Sequence, residues 1–355
     1  MRDVLKNMAD YDHEQVLFGY DKVSGLKCII AIHNTVLGPA LGGLRIWPYE
    51  SEDEALFDVL RLSVGMTYKN AAMGLDFGGA KGVMIHDPNT DKPEELMRAF
   101  GRMVHSLGGR YYTAEDVGTT LDDLVHVRKE TPYVAGLPET SGNPSPITGW
   151  GVYNAMRATA QRIWGSDDLK GKKVAVQGCG NVGFALIQHL LEAGAEVYAT
   201  DMFEDKVEQA KKAGAIPVEM DKIYDLEADI FAPCALGAIL NDDTIPRLKV
   251  KGICGSANNQ LLEPRHGKAV AARGILYSPD FIVNGGGVIN CAEEFSPGGY
   301  NKEGAMRKAA GIYDILLNIF AIADEREIEP YEAANIYAEE RIEKALQQKR
   351  MYFED

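Results

Sequence analysis

Two lysines stand twelve positions apart in Met66-Thr-Tyr-Lys-Asn-Ala-Ala-Met-Gly-Leu-Asp-Phe-Gly-Gly-Ala-Lys81, the second directly behind a glycine pair. As cations, Lys69 and Lys81 can each hold a carboxylate; as a neutral amine, either can take a proton. Two ammonium groups converging on one pocket repel each other, and burial adds to the repulsion. Both effects lower a lysine pKa, so one of the pair qualifies as a general base near neutral pH. The competing reading is two solvated surface lysines. Gly78 and Gly79 remove side chains that would hold a ligand away from the backbone. The loop Leu37-Gly-Pro-Ala-Leu-Gly-Gly-Leu-Arg45 is a second candidate. There Gly42 and Gly43 either bring backbone amides to a ligand or make a turn that needs positive φ. Asp116, in Tyr111-Tyr-Thr-Ala-Glu-Asp-Val-Gly118, either faces a cleft or forms a turn.

A second set points to a nucleotide. Lys172-Lys-Val-Ala-Val-Gln177 reads as a strand and runs into Gly178-Cys-Gly-Asn-Val-Gly183. A helical stretch from Phe184 to Glu192 and a second strand, Ala195 to Thr200, then end in Asp201. G-x-G-x-x-G alone is weak; inside a βαβ unit with an acid about 20 residues on, it is the dinucleotide fingerprint. Gly178, Cys179, Gly180, Asn181, Val182 and Gly183 are the predicted pyrophosphate turn, at a helix N-terminus whose dipole favours anions. Asp201 suits the ribose diol and repels a 2′-phosphate, which favours NAD over NADP.

The elements that must position these groups follow from periodicity. Leu26 to His33 is an apolar, β-branched run and predicts a buried strand. Ser51-Glu-Asp-Glu54 has capping-box spacing, and Leu56, Val59, Leu60, Val64 and Met66 recur at helical period, so Lys69 falls near a helix end. Gly82 to Ile85 predicts a strand opened by Lys81, and a helix started by Asp91 or Lys92-Pro93 is predicted to bury Leu96, Phe100, Met103, Val104 and Leu107. Thr140-Ser-Gly-Asn-Pro-Ser-Pro146 is the linker candidate, with a helix beginning near Thr148. Further strands are predicted at 229–234, 249–254 and 274–277. The loops after them carry Ala235, Leu236, Asn258 and Asn284, which are predicted to line the nicotinamide half, because ligands sit at the carboxyl ends of parallel strands. Thr148 joins this cofactor set. The fold class is α/β in two domains: an N-terminal α/β substrate domain over 1–140 and a Rossmann-type dinucleotide-binding domain over 141–330, with the active-site cleft between them. The helix in 331–355 is expected to pack back on the first domain.

At 355 residues, 46% apolar and 25% charged, the chain suits two globular domains. A net charge of −15 argues against nucleic-acid or anionic-membrane partners, which need a basic face. No apolar leader or membrane-length run is present, and five scattered cysteines never form C-x-x-C. A cytoplasmic protein without a metal site is expected.

The chain resembles the glutamate/leucine/phenylalanine/valine dehydrogenase family over essentially its whole length. The resemblance rests on Leu37 to Gly43, Gly65-Met-Thr-Tyr-Lys-Asn70, Gly78-Gly-Ala-Lys81, Thr113-Ala-Glu-Asp-Val-Gly118, Ser141 to Pro146, the glycine turn at 178–183, Ala232 to Gly237, Gly255 to Leu261 and Gly286 to Asn290. It implies reversible, NAD-dependent oxidative deamination of an L-amino acid to a 2-oxo acid and ammonia. It also implies Lys69 as carboxylate anchor, assisted by Asn258, with Lys81 as catalytic base and Asp116 in proton transfer. Backbone amides at Gly42 and Gly43 would hold ligand oxygens. Leu41, Met66, Ala114, Val288 and Cys291 belong to the implied substrate site. The apolar walls among them imply leucine, valine or isoleucine, with a phenylalanine-type enzyme as the alternative. A homo-oligomer, often an octamer, is the family's habit. Gly82, Gly285 and Cys291 depart from the family pattern and bear on substrate preference.

Overall fold

The computed structural model describes residues 4–348. Two compact units emerge among the described residues, 4–143 with Asn290–Tyr300 and 338–348, and Pro144–Ile289 with Asn301–Tyr337.

The first unit is built on a six-stranded mixed sheet: β1 (Gln15–Asp21), β2 (Leu26–Asn34), β3 (Ala40–Leu41), β4 (Leu44–Trp47), β5 (Gly78–Ile85) and β6 (Tyr111–Tyr112). The order is β1-β2-β5-β3-β6, with β4 also on β5. β2 is apolar without alternation because both faces are covered: Cys28, Ile30 and Ile32 enter one core with Phe100 and Tyr111, while Ile29 and Ala31 enter another with Val59 and Leu60. The predicted strand and helix at 26–33 and 51–69 are present, the helix as Glu52–Ala72 with Ser51 Oγ accepting from the Glu54 amide at 3.1 Å. β1, whose pattern sequence reading passed over, lies on the sheet edge with Phe18 and Tyr20 exposed. Phe100 is fully buried. Phe100→Ala is expected to cost about 3–5 kcal/mol, seen as a lower urea midpoint.

The second unit carries β7 (Lys173–Gln177), β8 (Glu196–Thr200), β9 (Ile216–Pro217), β10 (Ile230–Pro233), β11 (Gly252–Ile253) and β12 (Leu276–Tyr277). All pairings are parallel, in the order β12-β11-β10-β7-β8-β9. This is the doubly wound order of a dinucleotide fold, and its switch point lies between β7 and β10. The strands expected at 249–254 and 274–277 shrink to two residues each, and β9 was not anticipated.

Unit boundaries differ from the expected 140/141 and 330/331. Residues 290–300 join the first unit: the Glu294 carboxylate accepts the Gly136 amide at 2.8 Å and the Ser141 amide at 3.2 Å, and Phe295 packs edge-on against Tyr112 at 4.6 Å. The helix Pro330–Leu346 is shared. From Ala338 onward it belongs to the first unit, where Tyr68 donates to Glu339 at 2.8 Å and Arg341 donates to the Leu75 carbonyl at 2.5 Å. The last part of the expected C-terminal helix, 349–355, lies outside the described residues. No helix among the described residues is long and apolar enough to cross a membrane.

Candidate active site

β3, Gly42-Gly43 and β4 run together along one edge of β5, Leu41 opposite Gly79 and Leu44 opposite Gly82. A Cβ on Gly42 would sit 1.7 Å from the Ala80 carbonyl oxygen, and one on Gly43 would sit 2.5 Å from that of Glu115. Close backbone packing therefore demands these glycines. The Gly42 amide is already given to the Tyr112 carbonyl at 3.1 Å, so the expectation that it holds a ligand oxygen is corrected. Gly78 and Gly79 are likewise packing residues. A Cβ on Gly79 would meet the Thr67 backbone nitrogen at 2.0 Å, so the helix Glu52–Ala72 lies directly on β5.

That contact fixes the helix that carries Lys69 against the strand that carries Lys81. Thr67, two residues before Lys69, touches Gly79, two residues before Lys81. Lys69 is half-buried in the last helical turn, and Met66 approaches the Gly42 position within 3.3 Å. Lys81 lies inside β5 rather than opening a strand, and is 4% exposed. Gly82 is small because Phe100 and Tyr111 fill its place, each 3.0 Å from a built Cβ.

The segment after β6 runs beside β4: the Leu44 amide donates to the Ala114 carbonyl at 2.8 Å, and the Ile46 amide to the Val117 carbonyl at 2.9 Å. Asp116 therefore comes to Lys81, with Oδ1 2.9 Å from Nζ. Burial pushes the Asp116 carboxyl up, but the Lys81 ammonium and the Arg45 guanidinium outweigh it and hold the group down at about 2. Asp116 is thus a carboxylate at every pH at which the protein works. Sequence reasoning did not single out Arg45; its partner is 71 positions away, so no local spacing could show it.

Among the other predicted substrate residues, Leu41 and Ala114 are buried. Val288 and Cys291 lie one turn apart on the helix Gly286–Glu293. Burial, with the carboxylates of Glu294 and Glu115, pushes the Cys291 thiol up to about 12, which keeps it protonated and apolar.

In the second unit the glycine turn has the geometry a pyrophosphate needs. Gly178 takes φ of 103° between β7 and Ala235, and a Cβ on Gly183 would strike the Gly178 carbonyl oxygen at 1.9 Å. Gly180 caps the helix Asn181–Glu192, and nothing stands within 4 Å of its missing Cβ. That open cradle at a helix N-terminus fits a phosphate group. Cys179 is buried, while Asn181 and Val182 form the helix's first turn. At the end of β8 the Asp201 carboxylate accepts the Cys179 amide at 2.7 Å and the Phe203 amide at 3.0 Å, and spare lone pairs remain for a diol. Beyond β10, Ala235 and Leu236 are exposed. Asn284 Nδ2 donates to Asn258 Oδ1 at 2.6 Å, which joins the loops after β11 and β12. Thr148 Oγ1 lies 3.3 Å from a built Cβ on Gly287, at the start of the helix Ser145–Trp164. Among the described residues, no group of three or more His, Cys, Asp or Glu side chains is placed to hold a metal ion.

A doubly wound sheet with this fingerprint, in a chain whose other unit carries a lysine–aspartate pair, defines a dinucleotide-dependent oxidoreductase. The comparisons agree and narrow it. The model of the Glu/Leu/Phe/Val dehydrogenase dimerisation domain matches residues 13–133, and that of the Glutamate/Leucine/Phenylalanine/Valine dehydrogenase matches 142–202 and 199–350. The chain belongs to this family of amino-acid dehydrogenases. It is 56% identical over 345 residues to a leucine dehydrogenase of Geobacillus stearothermophilus, covering 96% of this chain and 94% of that protein. It is 52% identical over 342 residues to a phenylalanine dehydrogenase of Caldalkalibacillus thermarum, covering 94% and 92%. The crystal structure of L-tryptophan dehydrogenase from Nostoc punctiforme superposes with a TM-score of 0.87 at 46% identity, covering 96% of this chain and 99% of that one.

Proposed function

We propose that the protein catalyses the reversible, NAD-dependent oxidative deamination of branched-chain L-amino acids, L-leucine first and valine and isoleucine after it, to the 2-oxo acid and ammonia. The observation that carries the reading is the buried Lys81–Asp116 pair at 2.9 Å, in a chain 56% identical to a leucine dehydrogenase. Lys69 holds the substrate carboxylate and so fixes Cα, with Asn258 assisting. The 178–183 turn and Asp201 would hold NAD, which would supply the hydride acceptor for Cα. Lys81, once neutral, takes the proton of the water that attacks the substrate iminium, and later returns a proton to the departing nitrogen. Asp116 gives the cationic iminium an anionic neighbour.

Leu41, Met66, Ala114, Val288 and Cys291 supply apolar walls for a branched side chain. A glutamate side-chain carboxylate would lie unpaired among them, at high desolvation cost. Asp201 favours NAD, since its carboxylate repels a 2′-phosphate. The matched dimerisation domain and the exposed edge strand β1 support a homo-oligomer, and light scattering measures its size. Five free cysteines suit a reducing cytoplasm.

The test is NADH formation over a panel of L-amino acids with NAD and NADP. We expect the highest kcat/KM with L-leucine and NAD. Valine, one methylene shorter, should follow within about 10–200-fold, because one methylene is worth only about 1–3 kcal/mol, and the isomeric isoleucine should be accepted as well. A clear preference for L-phenylalanine overturns the substrate, and a preference for NADP overturns the role of Asp201.

A further inference from the structure

Asp116 has two cationic neighbours. Its Oδ1 faces Lys81, while its Oδ2 accepts from Arg45 Nε at 3.0 Å. Arg45 reaches onward, and its Nη1 donates to Asp58 Oδ2 at 2.9 Å. That same Asp58 oxygen accepts the Tyr49 hydroxyl at 2.7 Å, and Asp58 Oδ1 accepts from Arg61 Nη2 at 2.9 Å. The guanidinium is therefore stretched between two carboxylates and cannot swing without unpairing both. The backbone sets this up: β4, which carries Arg45, is hydrogen-bonded to β5 on one side and to the segment 114–117 on the other.

We propose that Arg45 is a positioning residue for the proton-handling pair, aiming Asp116 Oδ1 at Lys81 and keeping Asp116 anionic after Lys81 gives up its proton. The inference rests on the deamination reading above. As an ammonium, Lys81 balances Asp116 by itself. During turnover Lys81 must pass through its neutral form, and a half-buried carboxylate left without counter-charge takes up a proton. Arg45 is protonated at all working pH and supplies the charge through that step. The other titratable groups facing Asp116 are acids. Burial and Asp116 push the neighbouring Glu115 up, and the hydroxyls of Tyr111 and Tyr49 are raised chiefly by burial. They bring no counter-charge.

The test is steady-state kinetics with L-leucine and NAD across pH. Arg45→Met is expected to lower kcat about 10²-fold, as a misplaced catalytic group does, with the KM for L-leucine nearly unchanged. Losing a cation makes every proton on the pair harder to lose, so the acid limb of the kcat profile moves up by about one pH unit. Arg45→Lys keeps the charge without the fork, so the limb stays and part of kcat returns. An unmoved limb in Arg45→Met, or an Arg45→Lys variant no better than Arg45→Met, overturns the inference. Should Arg45→Met fail to fold, as judged by circular dichroism and the urea midpoint, Asp58→Asn decides. It frees the guanidinium from behind, so a lower kcat at unchanged KM supports the proposal and wild-type kcat overturns it. Lys81→Ala and Asp116→Asn run alongside. No NADH formation from any L-amino acid by the wild-type enzyme overturns the deamination reading, and retained turnover in both variants overturns the roles of Lys81 and Asp116; their loss beside Arg45 variants with wild-type kinetics overturns Arg45 alone.

Discussion

Lys81→Ala is expected to lower kcat for L-leucine oxidation by about 10²–10⁴-fold, the usual worth of a positioned acid or base, while NADH binding stays close to wild type. The expectation follows from where the lysine sits. Lys81 is 4% exposed inside β5, and its Nζ is 2.9 Å from a carboxylate that two cations keep ionised. Bulk water has little access to replace it, and Asp116, held down at about 2, is far too weak a base to take over. The dinucleotide turn and Asp201 belong to the other unit and do not depend on the substituted side chain. Single-turnover kinetics and a fluorescence titration with NADH separate the two effects. Turnover within a few-fold of wild type would remove Lys81 from the mechanism.

The second large effect is expected at Lys69. Lys69→Ala should weaken L-leucine binding by about 2–5 kcal/mol, the cost of leaving a desolvated charge without its partner. That corresponds to a KM raised about thirty-fold or more, with the larger effect on KM rather than kcat. The helix Glu52–Ala72 places Lys69 by packing Thr67 against Gly79, so the anchor is fixed to the strand that bears Lys81. An unchanged KM would contradict the carboxylate assignment. The two variants together distinguish a lysine that stays charged from one that has to lose its proton.

Some of this site was readable along the chain and some was not. The pyrophosphate turn and Asp201 were legible because the whole device is one contiguous βαβ unit, with the acid closing the second strand. The glycines at 42, 43, 78 and 79 were found, but the close backbone packing that each of them permits was not foreseen. Counting glycines cannot tell close packing from ligand approach; the 1.7 Å and 2.0 Å clearances at Gly42 and Gly79 can. Residues 290–300 were assigned by position to the dinucleotide domain. The Glu294 carboxylate and the Phe295 ring instead bind them to the first unit, through contacts more than a hundred positions distant along the chain.

By itself the sequence determined which chemistry-bearing residues exist, the periodicity of their elements and the dinucleotide fingerprint, because each is a local property of consecutive residues. Only the tertiary structure decided that Asp116 pairs with Lys81 at 2.9 Å and with Arg45 at 3.0 Å. That outcome depends on the segment 114–117 lying along β4 while β4 lies along β5. Strand pairing between distant segments leaves no spacing in the chain to be read, and it is the pairing that gathers the charges.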